Sequence, residues 1–167
     1  MKRNNITIIE LIIVICVIVI TARIWTYKKP ENKTNYVSKI TGIIKEQNSI
    51  IDEYMILTDN IFKGEIPEKQ AIYKLEKIKN SFLENKRAID TIIPPGEFAD
   101  DHKNFIRIFN YCIESSDMSL SAIDMEHGKI ETERILHAKV LINDFKVYIQ
   151  YLSHRSHSRI TNDFTDK

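Results

Sequence analysis

The sequence predicts an all-α protein: an N-terminal transmembrane helix followed by an antiparallel, up-down four-helix bundle. Three observations carry that expectation. Apolar residues crowd into one run, from Ile6 to Ala22. Beyond it they recur at three- and four-residue steps in four segments separated by Gly and Pro. No stretch alternates like a strand between hairpin turns. The chain's 167 residues suit one ordinary domain. Lys and Arg number 24 against 23 Asp and Glu, a balance that argues against nucleic-acid binding through a bulk basic surface. Four Gly, four Pro and two Cys exclude collagen-like, Pro/Gly-rich disordered and disulfide-stapled chains.

The anchor is expected over residues 1–27. Lys2 and Arg3 form a short basic head. The run that follows holds one charge, Glu10, and ends at Arg23, Ile24, Trp25, Thr26 and Tyr27. A helix needs roughly 20 residues to cross a hydrocarbon core of about 30 Å. The run reaches that length once Ile24 to Tyr27 are included. Arg23 would then snorkel at the far interface beside an aromatic belt of Trp25 and Tyr27. A buried soluble helix is rarely apolar all round for so long. Cleavage by signal peptidase wants small residues where Arg23, Ile24 and Trp25 stand. A lipoprotein signal wants a small residue before the cysteine, whereas Cys16 follows Ile15 in mid-run. An uncleaved single-pass anchor is the expectation, with membrane lipid as its partner. Counting positive residues alone would put the C-terminal side in the cytoplasm, because Arg23, Lys28, Lys29 and Lys33 outnumber Lys2 and Arg3. A short basic head running straight into an apolar run favours the opposite sense, with the bulk of the chain extracytoplasmic.

Glu10 is the odd residue, because an ionisable group within an apolar span is costly and marks a candidate site. The bland reading is a carboxylate about one turn inside the membrane that reaches the headgroups. The string Thr7-Ile8-Ile9-Glu10-Leu11-Ile12-Ile13-Val14-Ile15 resembles the start of type IV pilins and pseudopilins. Thr7, Ile9, Glu10, Leu11, Ile13 and Val14 fall on matching positions. The resemblance implies a Glu10 that guides subunit docking by pairing with a neighbour's N-terminal amine. It covers about the first 20 residues. Asn5 stands where that family has the Gly before the cleaved bond, and Ile6 where it has the Phe that becomes N-terminal. Leader cleavage that requires the Gly would not proceed here, and Glu10 would then lack its amine.

Residues 28–35 read as a polar linker containing Pro30. With Lys2, Arg3, Arg23 and Glu10 set aside, 21 basic and 22 acidic side chains remain, a mixed and nearly neutral surface. The bundle is expected over 36–152 and a fraying polar tail over 153–167. The first helix is expected over about 36–63, with Val37, Ile40, Ile44, Ile51, Tyr54, Met55, Ile61 and Phe62 apolar; Gly64 stops it, and Pro67 suits the first turn of the next. The second is expected over about 67–91, with Leu75, Phe82 and Ile89 at seven-residue spacing and Ile72 and Ile78 beside them. Pro94, Pro95 and Gly96 break it. The third is expected over about 97–127, on the stripe Phe98, His102, Phe105, Phe109, Cys112, Ser116 and Ile123, ended by Gly128. The fourth is expected over about 129–152, on Ile130, Leu136, Val140, Leu141, Phe145, Tyr148 and Leu152.

The expected chemistry is sparse. Cys16 and Cys112 are placed too differently for a disulfide, and Cys112 reads as a small core hydrophobe. His102, flanked by Asp100 and Asp101, reads as a buried hydrogen-bonded histidine; the sharper alternative is a metal or haem ligand. Haem attachment through Cys-x-x-Cys-His is absent. Glu133 and His137 lie four apart rather than the three of a di-iron bundle motif, and no second copy follows. His154 and His157 could share a metal only weakly. Asp100 and Asp101, or Glu131 and Glu133, read as solvated helix faces. No phosphate-cradling glycine loop and no His-Glu-x-x-His zinc motif occurs. The expectation is therefore a membrane-anchored structural or protein-interaction module, with no catalytic residues, metal site or cofactor, and a protein partner or self-association. The alternatives are a pilin-like subunit depending on Glu10, Asn5 and Ile6, and a ligand- or metal-binding bundle centred on His102, with Cys112 as the other candidate.

Overall fold

A computed structural model describes residues 30–124 and 129–165, with Asp124, Ser153 and residues 156–165 as backbone alone. The expected anchor, with Asn5, Ile6, Glu10 and Cys16, lies outside the described residues, as do the first two residues of the linker and the expected helix stop at His127 and Gly128. The chain divides into two units, residues 1–30 and 31–167. The described residues of the second form four long helices and one short strand pair, and its first helix begins earlier than expected. Asn32 is extended at φ −69° and ψ 155°, and its Oδ1 accepts a 2.8 Å hydrogen bond from the Asn35 amide. That N-cap satisfies an otherwise orphaned donor. The end of the expected linker therefore folds into α1, Lys33–Phe62. Its other end closes on Gly64, at φ 69°. The Glu65 amide reaches the Asn60 carbonyl and the Gly64 amide that of Ile61, the two bonds of a Schellman cap.

Pro67 precedes α2, Glu68–Asp90, and its carbonyl receives the Gln70 and Ala71 amides. After Pro94 and Pro95, a 3-10 turn at Gly96–Phe98 leads into α3, Ala99–Ser121. This helix stops before the expected His127. The Ala122 amide closes onto the Met118 and Ser119 carbonyls, and β1, Ile123–Asp124, pairs antiparallel with β2, Lys129–Ile130. β-Branched Ile123 and Ile130 face each other across this two-rung ladder, an arrangement that suits them better than another helical turn. The chain thus carries a short strand pair that its periodicity did not announce. α4 runs Thr132–Thr165, so the expected polar tail is helical. Polar side chains do not end a helix; Gly and Pro do, and neither occurs after Gly128.

Each helix packs on its neighbours in sequence, and α4 closes the ring against α1. Ion pairs fix the sense. Lys139 meets Asp59 and Lys146 meets Asp52, so seven residues forward on α4 match seven backward on α1. Across the bundle, Tyr36 faces His102 and Tyr54 faces Ser119, so α1 and α3 run the same way.

The α3 stripe is buried throughout, from Phe98 through His102, Phe105, Phe109, Cys112 and Ser116 to Ile123. On α2, Leu75, Ile78, Phe82 and Ile89 are buried as expected. On α1, Phe62 is half exposed at the helix end, while the rest of the stripe packs inward. α4 departs most. Its buried row is Ile135, Ala138, Ile142, Ile149 and Leu152. Leu136, Val140 and Tyr148, expected inside, are exposed. The three isoleucines sit seven apart, and small Ala138 lets the helix approach closely; the larger residues of the expected face lie beside that row.

Candidate functional site

The polar atoms of the bundle core fall at three levels along α3. At the first, His102 Nδ1 lies 3.4 Å from the Tyr36 hydroxyl, with the rings 5.9 Å apart. The Phe98 ring also packs against Tyr36, at 5.1 Å. Burial holds the His102 pKa below its ordinary value, against the pull of Asp90. Burial and the nearby charge of Asp101 push the Tyr36 hydroxyl up. His102 is therefore a neutral imidazole near pH 7, set against a neutral phenol.

At the second level, Asn85 Nδ2 donates to Gln47 Oε1 at 3.2 Å. Gln47 Nε2 is buried without a hydrogen-bond partner, beside Cys112. Cys112 is fully buried, and desolvation pushes its thiol up to about 12, with the Gln47 amide pulling the other way. Such a thiol carries almost no thiolate at neutral pH. At the third level, the Tyr54 hydroxyl and Ser119 Oγ share a 2.5 Å hydrogen bond, and burial raises Tyr54 to about 12. Thr58 and Ser116 turn their hydroxyls back to carbonyls of their own helices.

His102 and Cys112 are ten residues apart on one helix, or about 15 Å along its axis. No single ligand joins them. Among the described residues no three His, Cys, Asp or Glu side chains gather to hold a metal ion. Glu133, His137 and His154 are exposed, and the His157 side chain lies outside the described residues. Asp100 pairs with Lys103 at 3.7 Å and Glu131 with Arg134 at 3.2 Å, both in solvent.

Sequence reasoning passed over Gln47 and Asn85. Both continue apolar stripes, Gln47 after Ile40 and Ile44, and Asn85 after Ile78 and Phe82. A polar residue at such a position is the signal for a buried amide. It also assigned Leu136, Val140 and Tyr148, which lie on the outward face of α4, to the inward one. Leu136 is 47% exposed, Val140 50%, Val147 62% and Tyr151 58%, with Tyr148 alongside. Beside them, Tyr111 of α3 stacks on Phe145 at 4.9 Å and 6°, at the wall of a cleft of about 410 Å³ that Met118 and Leu141 also line. Among the described residues no helix is long and apolar enough to cross a membrane. The chain matches no protein family, no curated protein and no solved structure.

Proposed function

We propose that this chain is a single-pass membrane protein whose helical bundle serves, on the extracytoplasmic side, as a structural or protein-interaction module. The observation that carries this reading is the run from Ile6 to Ala22, extended by an aromatic belt to Tyr27. The core geometry supports a binding role over chemistry. Its buried histidine is neutral, its thiol is suppressed, and its exposed carboxylates sit in solvated ion pairs. Large apolar side chains instead stand on the outside of one helix, where a partner can cover them. Protease treatment of intact cells tests the placement. Shaving of the bundle with retention of an N-terminal fragment supports it. Full protection until the membrane is broken would put the bundle in the cytoplasm.

A pilin-like subunit is the second reading, favoured by the string around Glu10. It calls for cleavage after Asn5. Recovery of the intact Met1 peptide from membranes by mass spectrometry would remove most of its support.

A further inference from the structure

α4 has two apolar faces. The inner one is the row Ile135, Ala138, Ile142, Ile149 and Leu152, packed in the core. The outer one holds Leu136, Val140, Val147, Tyr148 and Tyr151, five of the nine exposed large hydrophobics in the described region. A helix apolar on opposite sides is built to be covered on both. Singly scattered surface hydrophobics need no explanation; a row concentrated on one helix does.

Part of the row, Leu136, Val140 and Val147, has a seven-residue frame, with Tyr148 and Tyr151 beside it and Glu133 at its N-terminal end. Val140 and Val147 repeat at one position, and Leu136, Asn143 and Gln150 repeat at the position three residues on. These are the a and d positions of a coiled-coil seam. β-Branched residues at a with Leu at d favour two parallel strands, and a polar residue in the seam fixes register at some cost in stability. Asn143 and Gln150 are exposed and available for that role. The flanks discriminate between the two senses of pairing. Lys139 and Lys146 occupy one flank, and Asp144 the other. In a parallel pair, Lys139 lies opposite Asp144 of the second copy, and the lysine is shared between that carboxylate and Asp59 of its own α1. In an antiparallel pair the lysine flanks face each other, setting like charge against like.

We infer that two copies of this chain associate through the outer face of α4, as a parallel, in-register helix pair along Leu136, Val140, Asn143, Val147 and Gln150. The seam spans about 21 Å from Leu136 to Gln150 at about 1.5 Å per residue. Two heptads with two amides make a weak seam in free solution. Confinement to a membrane surface would raise the effective concentration and hold copies in the same sense. The seam itself rests on the described residues and does not require the anchor.

Cross-linking of the full chain tests it. Cys16→Ser supplies the background, since Cys112 is fully buried. Leu136→Cys and Gln150→Cys are introduced singly and treated with a short bismaleimide, with Tyr73→Cys, 69% exposed on α2, as the control. Each of the two α4 variants is expected to form a homodimer at least tenfold more than the control. Val147→Asp added to either is expected to remove the product while circular dichroism shows the helices retained. Cross-linking only when the Leu136→Cys and Gln150→Cys chains are mixed reports an antiparallel pair and overturns the inference. So does a yield no higher than at position 73, or a yield indifferent to Val147→Asp. A chain that fractionates away from membranes yet cross-links at both positions supports the seam and removes the anchor reading.

Discussion

α3 and α4 lie side by side and each gives one row of side chains to the same core, but they end differently on the outside. α3 turns mostly polar residues outward, and among its large apolar side chains only Tyr111 is counted as exposed, at 40%. α4 carries a second apolar row there. α3 is thus an ordinary amphipathic helix, whose sequence pattern and burial coincide. α4 holds more apolar surface than one bundle can cover. A helix's apolar residues mark where it can be buried, while the packing partner decides which of them are. Here the ring of neighbours selected the isoleucines seven apart and left the valines, a leucine and two tyrosines outside.

The largest expected effects break the inner row. Phe105→Ala on α3 is expected to cost about 3–5 kcal/mol, and Ile142→Ala on α4 about 2–5 kcal/mol, by lost burial and a residual cavity. Val140→Ala, two residues from Ile142 on the opposite face, is expected to stay within about 0.5 kcal/mol at low protein concentration. Urea unfolding of the three variants measures the contrast. Equal losses at Ile142 and Val140 would erase the distinction between the two faces.

The next effect concerns the polar levels that α3 faces and α4 lacks. Gln47→Leu alone leaves the Asn85 amide buried without its acceptor and is expected to cost about 1–3 kcal/mol. Gln47→Leu combined with Asn85→Leu is expected to recover most of that loss, because both partners of the pair then go together. A double-mutant cycle reads the coupling directly. Tyr54→Phe, which strands the Ser119 hydroxyl, is expected to cost about 1 kcal/mol on the same scale.

The smallest effect is in pH. His102 has its folded pKa below the ordinary 6.5, so the unfolded chain binds the proton more readily. Stability from this residue is full above pH 6.5 and is lost as pH falls through that value toward the folded pKa. His102→Asn is expected to flatten the acid limb of stability between pH 7 and pH 5. Asp59, held below its ordinary pKa by Lys139, acts in the same direction at lower pH. An unchanged slope in the His102 variant would mean that the imidazole is not desolvated as its packing against Tyr36 requires.

Helix number, the breaks at Gly64 and at Pro94 to Gly96, and the whole α3 stripe were legible in the sequence, because three- and four-step periodicity and turn residues act locally. The end of α3 was not. Nothing between Ser121 and His127 breaks a helix by type, and the Ile123–Ile130 pairing that ends it depends on contact across a turn. The face of α4 was not legible either, since two apolar rows satisfy the same periodicity and only the neighbours choose between them. His102 and Cys112 were correctly singled out as stripe residues. Their ten-residue spacing on one helix already sets them at different levels; that Gln47 lies beside the thiol depends on how α1 registers against α3.

The longest apolar stretch of the sequence is the N-terminal run from Ile6 to Ala22, on which the proposed function rests. Alkaline carbonate extraction tests the resulting account most directly, applied to membranes from cells producing the full chain and, separately, residues 31–167. The full chain is expected to stay with the membrane pellet and the shorter chain to be released. Release of the full chain into the supernatant would contradict the anchor, and with it the reading of this protein as a membrane-held bundle.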